Sequence, residues 1–447
     1  MIDMNDFKIE RGILKKYLGK GGDVTLPYYY ISEIGDYAFK DCVSLTSLRI
    51  PKTVTKIGKK AFSGCKNLTH FEFPTSITVI DEEAFSECTG FTEFVIPDFI
   101  TEIGKGAFSG CVNLTKVVIP PSVTTVREEA FSDCGFTEFI FPDWIRQIGG
   151  SVFNRCSNLK HVVLPKSFTT ITNGLFHGCT GLTEYKIPHG ITKIGDNAFS
   201  ACTNLTEIHI PGSVTAIGKS AFMYCAKLKN VTLPDTITEI SNYTFSHCPR
   251  IEQIKLPDSI TRIGDSAFNF CKRLSQINIP DSVTYIGTYA FYDCVSLTDI
   301  TFPASLETAG YYAFEHAKRI IAPHNPPEVL NHCFYYADVN AQNKIIEVPL
   351  KTIPGLSTRI ATNAILPHLE RWSNGEMNES DIKDLSNIFR KLGITKLYDL
   401  FGENAQIYHF LTDNNLLTKA NLHRLLEKTE SVECRALLLR YNMKFIK

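Results

Sequence analysis

The cysteines of this 447-residue chain are the residues whose number and spacing first suggest chemistry. Twelve of the 14 recur every 23 residues, with one interval of 22, at positions 42, 65, 88, 111, 134, 156, 179, 202, 225, 248, 271 and 294. A metal site needs clustered Cys and His, as in C-x-x-C, and this series has no such cluster. Stacked repeats about 4.8 Å apart would bring the thiols within disulfide range, but side chains stacked in parallel point the same way. We therefore expect reduced, buried thiols that pack as small apolar groups.

Other candidate sites give weaker signals. His316, His324 and His332 lie near Cys333, and this is the one group that we would test for a metal ion. The chain contains no Walker loop, no H-E-x-x-H zinc motif, no G-x-S-x-G nucleophile motif and no dinucleotide-binding glycine motif after a strand. Three asparagines stand in glycosylation sequons that the repeat consensus itself creates, namely Asn67, Asn113 and Asn204. We expect no enzymatic activity, no cofactor and no resident metal.

Composition and charge exclude several classes of partner. The chain is 44% apolar and 21% charged with a net charge of -1, so it can bury a core and lacks the basic excess of a nucleic-acid-binding protein. No run of about 18 apolar residues could span a bilayer, and the charged N-terminus has no apolar stretch typical of a signal peptide. We expect a monomer that does not bind nucleic acid, has no membrane span and, as the chain is written, is cytoplasmic.

Two further series keep the period of the cysteines. Prolines run from Pro27 to Pro303, and a phenylalanine stands three residues before each cysteine, giving the consensus P-x-S-[VI]-T-x-I-G-x-x-A-F-x-x-C-x-x-L-T-x-[IV]-x-I. A unit this short cannot bury its apolar face alone, so the units must stack as a solenoid. The alternating segment before each proline predicts a strand of a parallel sheet, and S-[VI]-T-x-I predicts a short extended return. A tight turn or one helical turn should follow around A-F.

A glycine often begins that turn, at positions 35, 58, 104, 149, 195, 218, 264, 287 and 310. Glycine there suggests a turn conformation that it adopts at low cost. Other residues occupy the same place in four repeats, so a positive φ is not strictly required; these are Asp81, Arg127, Thr172 and Ser241.

The repeat closely resembles the leucine-rich repeat of the BspA-like type, also called the Treponema pallidum type, over roughly residues 24 to 320. The resemblance implies an α/β repeat fold, a right-handed curved leucine-rich repeat solenoid with its parallel sheet on the concave side. It also implies a binding role, because members are mostly cell-surface or secreted adhesion and host-interaction proteins of anaerobic bacteria and some protists. A surface or secreted location is therefore the alternative to a cytoplasmic one.

The sequence divides into four segments on this interpretation. We expect an N-terminal hairpin-like cap over 1–26, the solenoid of about 13 units over 27–322, an irregular closing repeat over 323–354 and an α-helical domain over 355–447. Helices are expected near 355–370, 404–412, 418–428 and 431–442. Another around Ile382 to Leu392 has helical apolar spacing, Ser380 as its N-cap and Gly393 as its C′ glycine.

Two residues of each predicted strand face solvent, and one column of them is aliphatic in four consecutive repeats. These are Val95, Val118, Ile140 and Val163, which we call the aliphatic row; it would be about 15 Å long and is flanked by Glu93, Lys116, Glu138 and His161. Such residues also simply suit a strand. Because other strands are polar in this column, we expect the concave face to bind a protein or glycan partner. In the alternative, an intracellular assembly module binds its partner through the helical domain.

Overall fold

The computed structural model describes residues 3–28, 30–317, 319–322, 345–347, 358–392 and 404–442. The chain forms two compact units, Met1–Ser259 with Phe270–Lys272, and Ile260–Asn269 with Arg273–Lys447. His324, His332, Cys333 and Gly393 lie outside the described residues, as does most of the expected closing repeat.

The strands of the described residues are short and follow one another along the whole repeat region. A 3₁₀ helix, Met4–Asp6, precedes them. In chain order they are β1 (Phe7–Glu10), β2 (Ile13–Tyr17), β3 (Gly22–Thr25), β4 (Glu33–Ile34), β5 (Leu45–Arg49), β6 (Lys56–Ile57), β7 (His70–Phe71), β8 (Val79–Ile80), β9 (Glu93–Val95), β10 (Glu102–Ile103), β11 (Lys116–Val118), β12 (Thr125–Val126), β13 (Glu138–Ile140), β14 (Gln147–Ile148), β15 (His161–Val163), β16 (Thr170–Ile171), β17 (Glu184–Lys186), β18 (Lys193–Ile194), β19 (Glu207–His209), β20 (Ala216–Ile217), β21 (Asn230–Thr232), β22 (Glu239–Ile240), β23 (Arg262–Ile263), β24 (Tyr285–Ile286), β25 (Asp299–Thr301), β26 (Thr308–Ala309), β27 (Arg319–Ile321) and β28 (Ile345–Glu347).

Each repeat contributes two strands in parallel register with the equivalent strands of its neighbours. The strand before the proline, which we call the face strand, pairs residue for residue one repeat on, as Glu184 with Glu207 in β17 and β19. The two-residue strand after the proline, the back strand, pairs in the same way, as Ile171 with Ile194 in β16 and β18. The predicted parallel solenoid and its extended return are therefore confirmed. Two predicted face strands shorten to single bridges, at Gln253 and Gln276.

The segment around each Phe is a tight turn rather than a helical one, and its amide groups alternate between two kinds of acceptor. The amides of Asn197, Phe199 and Ala201 donate to carbonyls of the next repeat at 2.7–2.9 Å, whereas those of Ala198, Ser200 and Cys202 donate within the turn. The positive φ values fall at Asn197 (55°) and Ala201 (58°), two residues before and after Phe199. Every amide of the turn thus finds an acceptor without helical geometry.

Glycine recurs at the start of the turn because there is no room for a side chain, and not because of its backbone conformation as expected. None of the nine has a positive φ among the described residues. Instead the neighbouring repeat lies too close: a Cβ on Gly104 would stand 2.4 Å from the carbonyl oxygen of Ile80. Three of the four side chains that replace glycine bond to the preceding repeat, as the Thr172 hydroxyl does by donating to the Gly149 carbonyl at 2.8 Å; the fourth, Asp81, accepts from the Glu82 amide of its own repeat.

The ladder phenylalanines form the core of both units. Their rings are buried and largely stacked, with centroids 5.4 Å apart for Phe199 and Phe222 and 5.2 Å apart for Phe268 and Phe291. Such contacts add to the free energy gained by burying each ring. The stack is modified at the 22-residue repeat, where Phe139 packs between Phe131 (5.4 Å) and Phe153 (4.9 Å).

The first two strands form a hairpin. Strands β1 and β2 pair antiparallel through a turn at Arg11 and Gly12, both with positive φ. Strand β2 then pairs in parallel with β4, the first back strand, so the hairpin covers the open edge of the back sheet.

The described residues after β28 form five helices, in agreement with the predicted C-terminal helical region. They are α1 (Thr358–Ser373), α2 (Glu379–Leu392), α3 (Ala405–Asp413), α4 (Lys419–Lys428) and α5 (Val432–Asn442). The expected N-cap of α2 is wrong by two residues, because Asn378 rather than Ser380 accepts the hydrogen bond from the Asp381 amide, at 2.8 Å.

Candidate partner-binding face

The aliphatic row lies on the solvent side of four face strands, β9, β11, β13 and β15. Val95, Val118, Ile140 and Val163 are 67%, 44%, 62% and 40% exposed. The residue before each of them points inward and packs on the phenylalanine core, as Phe94 does on Phe108 with ring centroids 4.8 Å apart. The period of two along a strand therefore forces the aliphatic side chains outward.

The row consists of two hydrogen-bonded pairs of strands. β9 pairs with β11, placing Val95 opposite Val118, and β13 pairs with β15, placing Ile140 opposite Val163. β11 and β13 belong to separate sheets, and the repeat that is one residue short lies between them, at Gly135. In this shortened repeat the Gly135 amide donates to the Leu114 carbonyl of the preceding repeat at 3.1 Å.

The flanking column carries charges that differ in how they are paired. The Lys116 Nζ lies 3.3 Å from the Glu93 Oε2, and both side chains remain about two-thirds exposed. Glu138 stands opposite His161 in the strand register. The structure thus brings all eight predicted residues onto one face of the first unit, with the acidic and basic groups beside the aliphatic row rather than within it.

A groove continues this face beyond β15. It has a volume of about 590 Å³ and is lined by residues of four face strands, including His161, Glu184, Lys186, Glu207 and His209. Sequence reasoning placed these residues on the strand face but did not predict a depression there. The sequence shows only that the column of the aliphatic row becomes charged at Lys186, which gives no indication of a depression.

The cysteine ladder is buried in the core, as predicted from residue type. Eleven of the twelve thiols, from Cys65 to Cys294, also share one kind of partner: the Cys202 Sγ, for example, donates to the carbonyl oxygen of Phe176 in the preceding repeat at 3.1 Å. The first, Cys42, is only half-buried. Burial raises the pKa of the Cys202 thiol to about 12, and likewise that of Cys111. Because the thiolate is the reactive species, these groups are poor nucleophiles and poor metal ligands.

The glycosylation sequons and the histidine group near Cys333 were two further candidates from the sequence. The Asn113 and Asn204 side chains of the sequons donate to carbonyls of the preceding repeat, those of Thr89 and Thr180, at 2.8 and 2.7 Å. His316 lies 3.8 Å from Asp293. Within the part of the chain that the structure describes, no group of three or more His, Cys, Asp or Glu is placed to hold a metal ion.

An aromatic column on the turn surface was missed by the sequence reasoning. The rings of Tyr224, His247 and Phe270 lie 4.6 and 4.5 Å apart in three successive repeats. All three stand two residues after a ladder Phe, so the repeat alignment contained the signal. Each of the three residues has a positive φ near 60°, a backbone conformation that is unfavourable for residues other than glycine. The contact between neighbouring rings offsets part of this unfavourable free energy.

None of the described helices has the length and apolar character needed to cross a bilayer.

Similar solved structures are leucine-rich repeat proteins. A leucine-rich repeat protein from Bacteroides ovatus is 27% identical over 77% of this chain and 97% of its own, with a TM-score of 0.49. A leucine rich cell surface protein from Faecalibacterium prausnitzii is 29% identical over 66% of this chain and 90% of its own, with a TM-score of 0.49. The pneumococcal vaccine antigen PcpA is 20% identical over 78% and 98%, with a TM-score of 0.57, which supports the fold.

No curated protein matches the chain significantly. The family model for the BspA type leucine rich repeat region (6 copies) matches residues 20–137, 124–252 and 238–355, about three-quarters of the sequence. The register of the face and back strands agrees with that assignment throughout both units. The chain therefore belongs to the BspA-type leucine-rich repeat family.

Proposed function

We propose that this chain is a non-catalytic binding scaffold that docks a protein partner on the face strands of its first unit, with the aliphatic row at the centre. The observation that carries the proposal is the contrast along one column. It is exposed and aliphatic from Val95 to Val163, and charged in the next repeats on either side, at Glu72 and Lys186. An exposed aliphatic row on an otherwise polar surface is typical of an interaction site.

A protein fits this row better than a glycan does. Covering the row removes four aliphatic side chains from water, which is favourable against the apolar side chains of a protein. A glycan would bring hydroxyl groups, and an aliphatic row has no hydrogen-bond partners for them. An adhesive role, as the resemblance implies, would use the same face.

The test is affinity capture followed by quantification of individual partners. With Val118→Lys and Ile140→Lys combined, a partner bound at this face should be lost at least tenfold, because two ammonium groups would have to be desolvated in the contact. The matched control is Val43→Lys combined with Val112→Lys, two valines that are about half exposed but lie outside the face strands. A partner that is retained equally by both double variants would contradict the proposal.

A second candidate is supported by the last helix. In α5, Val432 and Leu439 are 86% and 49% exposed and lie seven residues apart, on one side of the helix. An assembly module that binds through the helical segment would lose its partner on Val432→Lys combined with Leu439→Lys and would tolerate the changes on the face strands.

A further inference from the structure

Resting on the proposed function, we infer that the occupant of the face is an amphipathic helix of a partner protein, with an aliphatic stripe over the aliphatic row and a basic flank over the glutamates beside it. Three features of the described first unit carry the inference. They are the spacing of the row, the charge of the flanking column and an unneutralised pair of glutamates in the groove.

The spacing of the row suits a helix. The row runs across the strands, so within each of its two hydrogen-bonded pairs the side chains are spaced by the interstrand distance of about 4.8 Å. A helix presents one row of side chains every turn, or about 5.4 Å, whereas an extended peptide presents same-side residues about 6.8 Å apart. The four aliphatic positions, about 15 Å end to end, would match about ten residues of helix, or nearly three turns.

The flanking column is acidic. From β9 to β19 it contains four exposed glutamates, one exposed lysine and one histidine, which are Glu93, Lys116, Glu138, His161, Glu184 and Glu207. The lysine already pairs with Glu93. The excess of negative charge in the column therefore lies at Glu138 beside the aliphatic row and at Glu184 and Glu207 just beyond it, which favours a partner with basic residues on that side.

The groove contains the sharpest part of this charge pattern. Glu184 and Glu207 stand directly opposite each other in β17 and β19, an arrangement of like charges that is unfavourable in a sheet. Among the described residues no ion pair reaches either carboxylate. A lysine or arginine of the partner would lie between them and relieve the repulsion.

The cationic side of the groove sets the orientation of the helix. Lys186 and His209 also stand opposite each other, two residues further along the same strands and therefore about 7 Å from the glutamates. They continue the column of the aliphatic row. An acidic residue one turn beyond the aliphatic stripe of the partner would contact them, so the complementary helix is basic on one flank and ends its stripe with an acidic residue.

Two synthetic helical peptides test this inference on the full chain. Both have aliphatic residues at one position per turn over three turns and an acidic residue one turn further on; the flank contains lysines in one peptide and glutamates in the other. Fluorescence anisotropy at low and at physiological salt should show the lysine-flank peptide binding at least tenfold more tightly, with the preference weakened by salt.

Charge reversal locates the contact. Glu184→Lys combined with Glu207→Lys should reverse the preference, whereas Ile140→Lys should weaken both peptides to a similar extent. The matched control, Glu128→Lys combined with Glu129→Lys, makes the same change of charge at exposed residues outside the face strands and should alter the preference less than twofold. Circular dichroism of each variant checks that the fold is kept.

Several results would overturn the inference. Equal binding of the two peptides, a preference that Glu184→Lys and Glu207→Lys leave unchanged, or binding of neither peptide would each exclude a basic-flank helix. Binding of a glycan probe that Ile140→Lys abolishes would replace it with a carbohydrate. A dimer lost on Ile140→Lys in sedimentation would replace it with a second copy of this chain. If a partner captured from a lysate still depends on Val118 and Ile140, the proposed function stands although the helix does not.

Discussion

Inside the first unit the same two residue types recur in nearly every repeat, whereas the outward positions of the face strands change from one repeat to the next. The Phe199 ring packs against its equivalents in both neighbouring repeats, and the Cys202 thiol donates to the Phe176 carbonyl of the preceding one, so a change at such a position disturbs the contact between repeats. Outward positions such as Val118 and Lys186 contact solvent on one side. The comparison teaches that uniform columns report the architecture and that departures within an outward column are the better guide to binding.

The largest expected effect is a loss of stability at alkaline pH, caused by the buried thiols of the interior. Burial raises the pKa of five ladder thiols to about 12, namely Cys65, Cys111, Cys156, Cys202 and Cys271. An exposed thiol in the unfolded chain has a pKa near 8.5–9, so the unfolded state loses protons first. The stability from these thiols is complete below about pH 8.5 and is lost as the pH rises toward 12.

At pH 10 each of these thiols should lower the free energy of unfolding by about 1.4 kcal/mol, or about 7 kcal/mol for the five. Thermal unfolding followed by circular dichroism between pH 7.5 and 10 measures the loss. Combining Cys111→Ser, Cys156→Ser and Cys202→Ser should reduce the pH dependence by about three-fifths of that amount, since a serine hydroxyl can donate the same hydrogen bond without titrating. An unchanged pH dependence would contradict the assignment to the ladder.

Removing one ring of the core is expected to have the next largest effect. Phe199→Ala should lower the stability by about 3–5 kcal/mol, because it deletes a fully buried ring that stacks on both Phe176 and Phe222. Denaturant unfolding measures the change. Phe199→Leu is the control, because it leaves a smaller cavity and should cost less stability. Equal losses for the two variants would show that filling this volume is not how the ring stabilises the core.

A methyl group at a turn glycine tests the close approach of neighbouring repeats. Gly104→Ala should cost about 1–3 kcal/mol, since its Cβ would stand 2.4 Å from the Ile80 carbonyl oxygen. Gly212→Ala is the matched control, because a Cβ there meets no described atom within 4 Å. Similar unfolding midpoints for both variants would show that the neighbouring repeat yields to a Cβ at Gly104 and would contradict the steric explanation.

The smallest effect on stability is expected on the strand face. Val118→Lys combined with Ile140→Lys should change the free energy of unfolding by no more than about 1 kcal/mol, since both side chains are exposed in the isolated chain. Differential scanning calorimetry against Val43→Lys with Val112→Lys measures this. A loss of stability as large as that of Phe199→Ala would show that the aliphatic row stabilises the fold, and the contrast between the strand face and the interior would no longer hold.

Much of the fold followed from the sequence, because a fixed period places equivalent residues in stacked positions whatever the details of the path. The face strands, the extended return, the buried cysteines and the outward direction of the aliphatic row were all readable in this way. The N-cap of α2 was not, since Asn378 and Ser380 are both good capping residues and only the position of the Asp381 amide distinguishes them.

The candidate site, too, was only partly predictable from the sequence. The two outward columns of the face strands come directly from the alternation of residues between Glu93 and His209. The separation of β11 from β13 and the groove that begins at β15 do not, because both depend on how neighbouring repeats are placed in space, and the sequence shows at most the missing residue at Gly135.

By itself, the sequence determined the period, the membership of each column and the residue types that face inward or outward, because these follow from counting along a repeating chain. Only the tertiary structure decided which atoms of neighbouring repeats meet. It placed the Cys202 thiol on the Phe176 carbonyl and moved the positive φ from the glycines to the residues around Phe199. These contacts depend on how one repeat is offset on the next, a quantity of a few ångströms that no spacing in the sequence encodes.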